Sequence, residues 1–111
     1  LEAVVSGTSD AVFIKDVQGR YVMVNQAAAN KIGRPADEII GEKDSALFQA
    51  SSAAQIREKD LAIMAAQATQ SFSETLITTE GRELVFSVTK GPVFDAQGLV
   101  IGMFGISRDI S

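Results

Sequence analysis

Five β-rich runs, two before a helix-forming middle and three after it, constrain the fold of this chain more than any other feature. The first two runs, 11–14 and 20–24, flank a turn that begins at Asp16 and ends at Gly19, and together they predict a hairpin. The later runs extend over 72–78, 83–93 and 99–106, and turn-forming residues at 79–82 and 95–98 separate them into a meander. One antiparallel sheet is therefore the expected centre of the fold.

The middle of the chain begins with short helical segments. Asn25 is a good N-cap for the Ala-rich segment 26–32, and Gly33 followed by Pro35 ends that segment. Segment 35–41 has proline early, acidic residues in its first turn and glycine at its end, and segment 44–48 starts on the capping residue Asp44. Each is expected to form one or two helical turns.

The longest helix is expected to begin near Ser51 or Ser52 and to run to about Gln67. Ser52 and Gln55 have the spacing of a capping box, in which each side chain bonds the other's backbone N–H. Two strands, a helical block and three strands predict an α+β domain with one antiparallel sheet and helices on one face. Periodicity alone leaves open whether the first strand pairs with the last.

Length and charge limit the classes of function. A chain of 111 residues with 46% hydrophobic content suits one compact domain, 1–111. No run approaches the roughly 18 apolar residues of a membrane span, and the first ten residues lack the features of a signal peptide. Ten scattered basic residues against fourteen acidic ones give a net charge of −4, which argues against nucleic acid as a direct ligand. Without a long apolar run, membrane insertion is not expected either.

Cysteine and histidine are both absent from the sequence. Their absence removes disulfides, the usual nucleophilic triads and nearly all transition-metal sites, because the required ligands and bases are missing. An enzyme that uses carboxylates alone, such as Asp60 and Glu74, has no supporting motif. We therefore expect no catalytic residues and no metal site, and a regulatory domain is favoured over an enzyme.

An ordered set of residues resembles the PAS family of sensor domains over nearly the whole chain. The set is Lys15, Asp16, Gly19, Arg20, Tyr21, Asn25 and Ala27, then Gly33, 38–41 and Asp44, and finally 90–92, Asp95, Gly98, Gly102 and 105–111. The resemblance implies a five-stranded antiparallel sheet in the spatial order 2-1-5-4-3, with the helices packed over one face. It also implies a regulatory domain of a bacterial signalling protein, which forms a homodimer and controls an output domain in the same chain.

Both ends of the chain are expected to connect to further polypeptide. The chain begins at Leu1 without an initiator Met, and residues 1–10 are expected to be the end of an incoming helix or a linker. Residues 107–111 are expected to start the output linker, because in the PAS family an Asp-Ile-Ser signature joins the last strand to an output helix. Asp109, beside Arg108, is the candidate for fixing the exit angle of that helix; a solvated chain end is the alternative.

The resemblance allows known PAS cofactors to be tested against this sequence. His-ligated haem, cysteinyl-flavin and coumarate are excluded because His and Cys are absent, and the absence of Trp disfavours other flavin sites. The remaining possibility is a small apolar ligand in a pocket between sheet and helices. Its expected apolar lining is Phe13, Val24, Ile40, Phe48, Ile56, Phe72, Phe86 and Phe104, and its candidate polar contacts are Asn25, Asp60, Thr75 and Ser87.

Each of these candidates also has an ordinary structural explanation. The apolar residues can simply fill the core, Asn25 can serve as a helix cap, and Asp60 can lie on a solvated helix edge. Glu74 and Lys90 are expected to form an exposed pair across the meander, and such a pair contributes little to stability.

Two functions remain open. The first is a ligand-responsive sensor domain of a cytoplasmic two-component protein, with a sensor histidine kinase as the leading case, in which the ligand shifts a conformational equilibrium. The second is a ligand-free dimerisation or relay module in a cyclic-di-GMP cyclase or phosphodiesterase, or in a transcription regulator. The first predicts an enclosed cavity, whereas the second predicts a filled core and an apolar outer sheet face.

Overall fold

The computed structural model describes residues 10–110, which form five strands, three helices and one 3-10 turn. The strands are β1 (Ala11–Asp16), β2 (Tyr21–Val24), β3 (Gln70–Ile77), β4 (Glu83–Phe94) and β5 (Val100–Asp109). The helices are α1 (Gln26–Ile32), α2 (Ala36–Ile39) and α3 (Ala50–Ala66), and the 3-10 turn covers Asp44–Ala46. Apart from Asp10, the expected incoming segment lies outside the described residues, as does Ser111.

The strands form one antiparallel sheet in the order β2-β1-β5-β4-β3. The first strand pairs with the last, with Phe13 opposite Gly105, which settles the closure that periodicity left open. Helix α1 packs on β1, while α3 packs on β3, β4 and β5. The predicted fold class and strand order are confirmed. Among the described helices, none is both long enough and apolar enough to span a membrane.

Two turns of the same type shape the β1–β2 and β4–β5 connections. In the first, the Asp16 carboxylate accepts hydrogen bonds from the backbone N–H groups of Gln18 and Arg20, each at 2.9 Å. Gly19 closes this turn with a φ of 88°, a value that favours glycine because it has no Cβ. Asp95 accepts the equivalent pair of bonds in the second turn. Aspartate at the start and glycine at the end therefore specify both hairpins locally.

Helix α1 has the ends that the sequence predicts. The Asn25 side chain accepts a hydrogen bond from the Ala28 backbone N–H at 2.9 Å, and Gly33 ends the helix in the left-handed conformation with a φ of 84°. Asn25 thus satisfies one N–H at the start of the helix, and the Gly33 N–H bonds the Ala29 carbonyl at its end.

The predicted capping box of α3 is wrong. The helix begins at Ala50, and its N-cap residue Gln49 makes no side-chain cap bond. The Ser52 hydroxyl instead accepts a hydrogen bond from the Ile77 backbone N–H at 2.9 Å, which ties the first turn of α3 to the end of β3. The Ser52 hydroxyl, which the local spacing predicted to cap α3, therefore bonds a residue of β3 instead.

The core lies between the inner face of the sheet and the helices. Gly105 of β5 permits this packing at one point, because a Cβ built there would overlap the aromatic ring of Phe13 on the neighbouring strand. The buried hydrophobic cluster comprises Tyr21, Ala29, Ile32, Ile39, Leu47, Phe48, Ile56, Leu76, Leu84 and Phe86.

Candidate functional site: an interior cavity beside a buried ionic cluster

A cavity of about 40 Å³ lies between the sheet and the helices. One water molecule needs roughly 10–15 Å³ of such space, so the cavity holds about three or four atoms of that size. Most of its wall is apolar, and three charged residues, Lys31, Glu74 and Lys90, also border it. The lining residues are Ala11, Phe13, Tyr21, Ala28, Lys31, Ile32, Phe48, Ile56, Glu74, Leu76, Leu84, Phe86, Lys90 and Ser107.

Five buried charged side chains, here called the ionic cluster, meet beside this cavity: Lys15, Asp44, Asp60, Glu74 and Lys90. The Lys15 ammonium lies 2.6 Å from a carboxylate oxygen of Asp44 and 2.6 Å from one of Asp60. The Lys90 ammonium lies 3.1 Å from the other oxygen of Asp60 and 3.4 Å from Glu74. Asp60 is thus the central member, because it contacts both lysines.

The ionic cluster joins every layer of the domain. Lys15 comes from β1, Glu74 from β3 and Lys90 from β4, while Asp60 projects from α3 and Asp44 from the 3-10 turn. Any relative movement of α3 and the sheet must therefore change the contacts of at least one buried charge.

Aromatic rings surround the two ammonium groups. The Lys15 nitrogen lies 5.1 Å from the centre of the Tyr21 ring and 5.6 Å from that of Phe13. The Lys90 nitrogen lies 5.8 Å from the Phe72 ring centre and 6.0 Å from that of Phe13. Such geometry lets the negative faces of the rings attract positive charge. The environment around the ionic cluster therefore favours cations.

Tyr21 extends the ionic cluster by donating a hydrogen bond from its hydroxyl to Asp44 at 2.6 Å. Burial, together with the nearby Asp44 carboxylate, raises the pKa of Tyr21 well above its usual 10.0, so this phenol stays protonated. Burial alone lowers the pKa of Lys15, but Asp44 and Asp60 more than offset that effect and the net pKa is raised. Lys15 therefore remains charged in the folded protein.

Four of the sequence-predicted pocket residues border the cavity, namely Phe13, Phe48, Ile56 and Phe86. Asp60 is buried but is bonded to the two lysines and lies outside the cavity lining.

Three further candidates are near the core but have other contacts. Val24 packs against the hydrophobic cluster. Asn25 accepts hydrogen bonds from two backbone N–H groups, those of Val12 and Ala28, and donates one to the Asp10 carbonyl, as expected of a helix cap. Phe72 lies under Lys59, whose nitrogen is 4.6 Å from the ring centre, in a surface groove between α3 and β3.

The remaining candidates point away from the cavity, which corrects their proposed place in its lining. Ile40 is 44% exposed just after α2. Thr75 and Ser87 are exposed because each alternates along its strand with an inward-facing neighbour, Glu74 or Phe86. Phe104 pairs with Ile14, one step away from the inward pair of Phe13 and Gly105, so it lies on the outer face of the sheet.

The expectation of an exposed Glu74–Lys90 pair is wrong. Both side chains face the interior, and the Lys90 side chain is only 1% exposed. The alternation of side chains along β4 indicates that Lys90 is buried, because Lys90 has the same parity as the buried residues Leu84, Phe86 and Val88. Lys15 and Asp44 were recognised only as parts of the family pattern, and their burial has no comparable local signal.

At the end of β5, Asp109 pairs with Lys31 of α1 at 3.1 Å. Arg108 is 3.7 Å from Asp10, and its side chain is largely exposed. The last strand is therefore linked to both α1 and the start of β1. Within residues 10–110, no group of three His, Cys, Asp or Glu side chains is arranged to hold a metal ion.

A five-stranded antiparallel sheet in the order β2-β1-β5-β4-β3, with helices and a cavity on one face, defines the fold class of this chain as α+β. The sequence model of the family described as the PAS fold matches residues 5–111. The chain belongs to the PAS family.

Known proteins similar to this chain include a histidine kinase. The methanogenesis regulatory histidine kinase FilI of Methanothrix harundinacea is 36% identical over 108 residues, which cover 97% of this chain and 12% of FilI. The PAS domain of a Colwellia psychrerythraea protein superposes with a TM-score of 0.84 at 19% identity, covering 96% of this chain and 91% of that one. The Vibrio cholerae VqmA–ligand–DNA complex gives a TM-score of 0.80 at 24% identity, covering 90% of this chain and 45% of VqmA.

Proposed function

We propose that this PAS domain is the regulatory sensor domain of a cytoplasmic sensor histidine kinase, and that a small molecule bound in its interior cavity controls the kinase. The 36% identity to a segment of FilI supports the kinase assignment. The domain itself regulates and leaves catalysis to the output domain.

The observation that carries this proposal is the cavity itself, which combines an apolar wall with Glu74 and Lys90 at its border. Small-molecule sites have this composition, in which apolar surface provides affinity and a few polar groups fix the orientation of the ligand. The similarly folded VqmA was solved with a ligand, which supports a ligand-binding role for the fold in this chain as well.

The ionic cluster offers a route from the cavity to the output. Glu74 and Lys90 border the cavity, Lys90 contacts Asp60, and Asp60 contacts Lys15. Both lysines lie on strands that pair with β5, the strand that ends at Asp109. A ligand that binds one arrangement of these contacts better than another shifts the population toward that arrangement, and β5 carries the change to the chain end.

Native mass spectrometry tests the ligand directly. The chain is purified from its host under gentle conditions in three forms: wild type, Ala28→Leu and Ala54→Leu. Ala28 is buried and borders the cavity, so a leucine there fills the space, whereas Ala54 is exposed on α3 and serves as the matched control. We expect a bound small molecule in the wild type and in the control but not in Ala28→Leu. Identical spectra for all three folded proteins, with no bound mass, would contradict ligand sensing.

A second candidate function is a ligand-free dimerisation and relay module, and two observations favour it. The cavity of about 40 Å³ is much smaller than the roughly 150 Å³ space that admits benzene in an engineered core. The outer face of β1, β2 and β5 carries the apolar residues Ile14, Met23, Phe104 and Ile106. A stable dimer in sedimentation experiments, combined with no bound mass in the wild type, would favour this function over ligand sensing.

A further inference from the structure

We propose that the cavity selects a small alkylammonium ligand and that the Glu74 carboxylate accepts its N–H hydrogen bond. This inference rests on the proposed ligand-sensing function and names the chemical class of the ligand. It follows from three properties of the site: an under-used carboxylate, a surplus of negative charge and a small, partly aromatic wall.

Glu74 is the under-used carboxylate. Its side chain is only 4% exposed and borders the cavity, yet its contact with the Lys90 ammonium is long, at 3.4 Å. Among residues 10–110, Lys90 is the one side chain that donates to it, so the second carboxylate oxygen is available to a ligand. In the described part of the chain, the buried side-chain polar atom that has no hydrogen-bond partner is Arg57 Nη1, so the second Glu74 oxygen keeps some contact with solvent. A charged N–H donor brought by a ligand replaces that contact with a charge-assisted hydrogen bond.

The charge balance of the ionic cluster specifies the sign of the ligand. Three carboxylates, those of Asp44, Asp60 and Glu74, face two ammonium groups, which leaves one surplus negative charge within the ionic cluster. Lys31 also borders the cavity, but its charge is balanced by its own pair with Asp109. Each lysine already contacts two carboxylates, so an anionic ligand would have to displace one of them. A cation instead neutralises the surplus without breaking an existing pair.

The wall of the cavity specifies the size and the body of the ligand. A space of about 40 Å³ admits about three or four non-hydrogen atoms without rearrangement. Ala11, Ala28 and Ile56 provide apolar contacts for an alkyl group, and the rings of Phe13 and Tyr21 favour a positive charge.

A surface groove gives such a ligand a route to Glu74. The groove has a volume of about 460 Å³ and lies between α3 and β3, where Phe72 and Glu74 meet Gln55, Glu58 and Lys59. Glu74 borders both this groove and the cavity. On the groove side, the charge of Glu58 is offset by that of Lys59, so Glu74 supplies the net negative charge of the groove.

Nuclear magnetic resonance titration of the 111-residue chain tests the ligand class with three probes of matched size: n-propylammonium chloride, 1-propanol and sodium acetate. Ionic strength is held constant, and the methyl signals of Ala28 and Ile56 report on the cavity. We expect n-propylammonium to shift these signals with an affinity roughly tenfold or more above that of 1-propanol, because its hydrogen bond to Glu74 is charge-assisted. Acetate should leave the signals unchanged.

Two variants locate the selectivity. Glu74→Gln keeps the shape of the side chain and removes its charge, so it should bind n-propylammonium no better than 1-propanol. Glu58→Gln removes one charge from the same groove at an exposed position and should keep the wild-type preference. Spectra of each variant without probe confirm that it is folded, and the wild-type probe series decides the question even if Glu74→Gln does not fold.

The remaining outcomes all overturn the ammonium selectivity. If 1-propanol binds equally well, or if acetate binds more strongly, the cavity binds ligands but does not prefer ammonium compounds. Cavity signals that respond to none of the probes would also refute the inference, while the native mass spectra of wild type and Ala28→Leu would still decide whether a ligand of another kind is sensed.

Discussion

The two halves of the interior are built on opposite principles. In one half, apolar side chains such as Leu47, Leu76 and Leu84 exclude water and stabilise the fold through the hydrophobic effect. In the other half, the ionic cluster removes five charges from water, and the desolvation cost offsets much of the attraction within each pair. The apolar half therefore explains the stability of the domain. The ionic half contributes less to stability, so we expect it to serve the function of the domain.

This contrast also explains how the two halves respond to change. An apolar wall tolerates small movements, because many weak contacts rearrange together. Short charge pairs in the interior have few acceptable geometries, since an unpaired buried charge is strongly unfavourable. The ionic half is thus the part of the interior in which a bound ligand has the largest effect on the balance between two arrangements.

Breaking the ionic half at its centre should give the largest effect. Asp60→Asn leaves both lysines short of a negative partner, and we expect the free energy of unfolding to fall by about 3–5 kcal/mol in urea denaturation. Glu58→Gln, two residues earlier on the exposed side of α3, should change it by less than about 0.5 kcal/mol. A loss of under about 1 kcal/mol for Asp60→Asn would show that the ion pairs of the cluster contribute little to stability despite their short distances.

Removing a buried side chain from the apolar half should lower the free energy of unfolding somewhat less. Leu47 is fully buried in the hydrophobic cluster, and Leu47→Ala should lower the free energy of unfolding by about 3 kcal/mol in the same urea assay. The exposed Leu61 of α3 is the control, because Leu61→Ala removes the same atoms from a largely solvated position. Similar losses for the two variants would mean that the described core does not stabilise the protein in this way.

Raising the pH should weaken the ionic half selectively. The folded-state pKa values of Lys15 and Tyr21 lie above their usual 10.5 and 10.0, so the native state keeps protons that the unfolded chain releases. The stabilisation is fully present below pH 10 and declines as the pH rises through the raised values. We expect the free energy of unfolding to decrease steadily above about pH 10.

The single tyrosine of the chain makes this prediction directly measurable. The ultraviolet absorbance of tyrosinate should appear near the usual pKa in urea-unfolded protein, and only at distinctly higher pH, together with unfolding, in native protein. The partly exposed pair of Lys31 and Asp109 provides a comparison, because removing it by Lys31→Met should leave the tyrosine titration unchanged. A native titration at the usual pKa would contradict the buried Tyr21–Asp44 bond.

The smallest effect on stability is expected at the end of β5. Asp109→Ala removes a partly exposed pair with Lys31 and should cost about 1 kcal/mol or less in thermal unfolding. In the proposed full-length histidine kinase, the same substitution should nevertheless change the basal autophosphorylation rate, because Asp109 lies at the end of β5. Unchanged autophosphorylation would remove Asp109 from the coupling route.

Local features of the sequence were sufficient to predict the elements and, with the family pattern, the order of the strands. Asp16 with Gly19 specifies a hairpin, and Asn25 with Gly33 delimits α1, because the bonds involved lie within a few residues. The ionic cluster depends instead on pairs separated by tens of positions, such as Lys15 with Asp60. Charged residue types ordinarily lie on the surface, so their burial follows only from the assembled sheet and helices.

The cavity could be predicted in position but only partly in composition. Phe13, Phe48, Ile56 and Phe86 were found because aromatic and branched residues in the central elements normally face the core. Thr75 and Ser87 lie outside the cavity because each has an outward position on its strand. Their neighbours Glu74 and Phe86 are buried, and side chains alternate between the two faces of a sheet. The start of α3 depended on a tertiary bond from Ile77 to Ser52, which no local pattern contains.

The most direct test of ligand control is the autophosphorylation response of the histidine kinase to which we propose that this domain belongs. The rate is measured with and without a low-molecular-mass extract of the host cells, for the wild type, Ala28→Leu and the exposed control Ala54→Leu. Our account predicts that the wild type and Ala54→Leu respond to the extract and that Ala28→Leu, with its cavity filled, does not. An Ala28→Leu protein that responds as strongly as the wild type would contradict the claim that the cavity is the sensor.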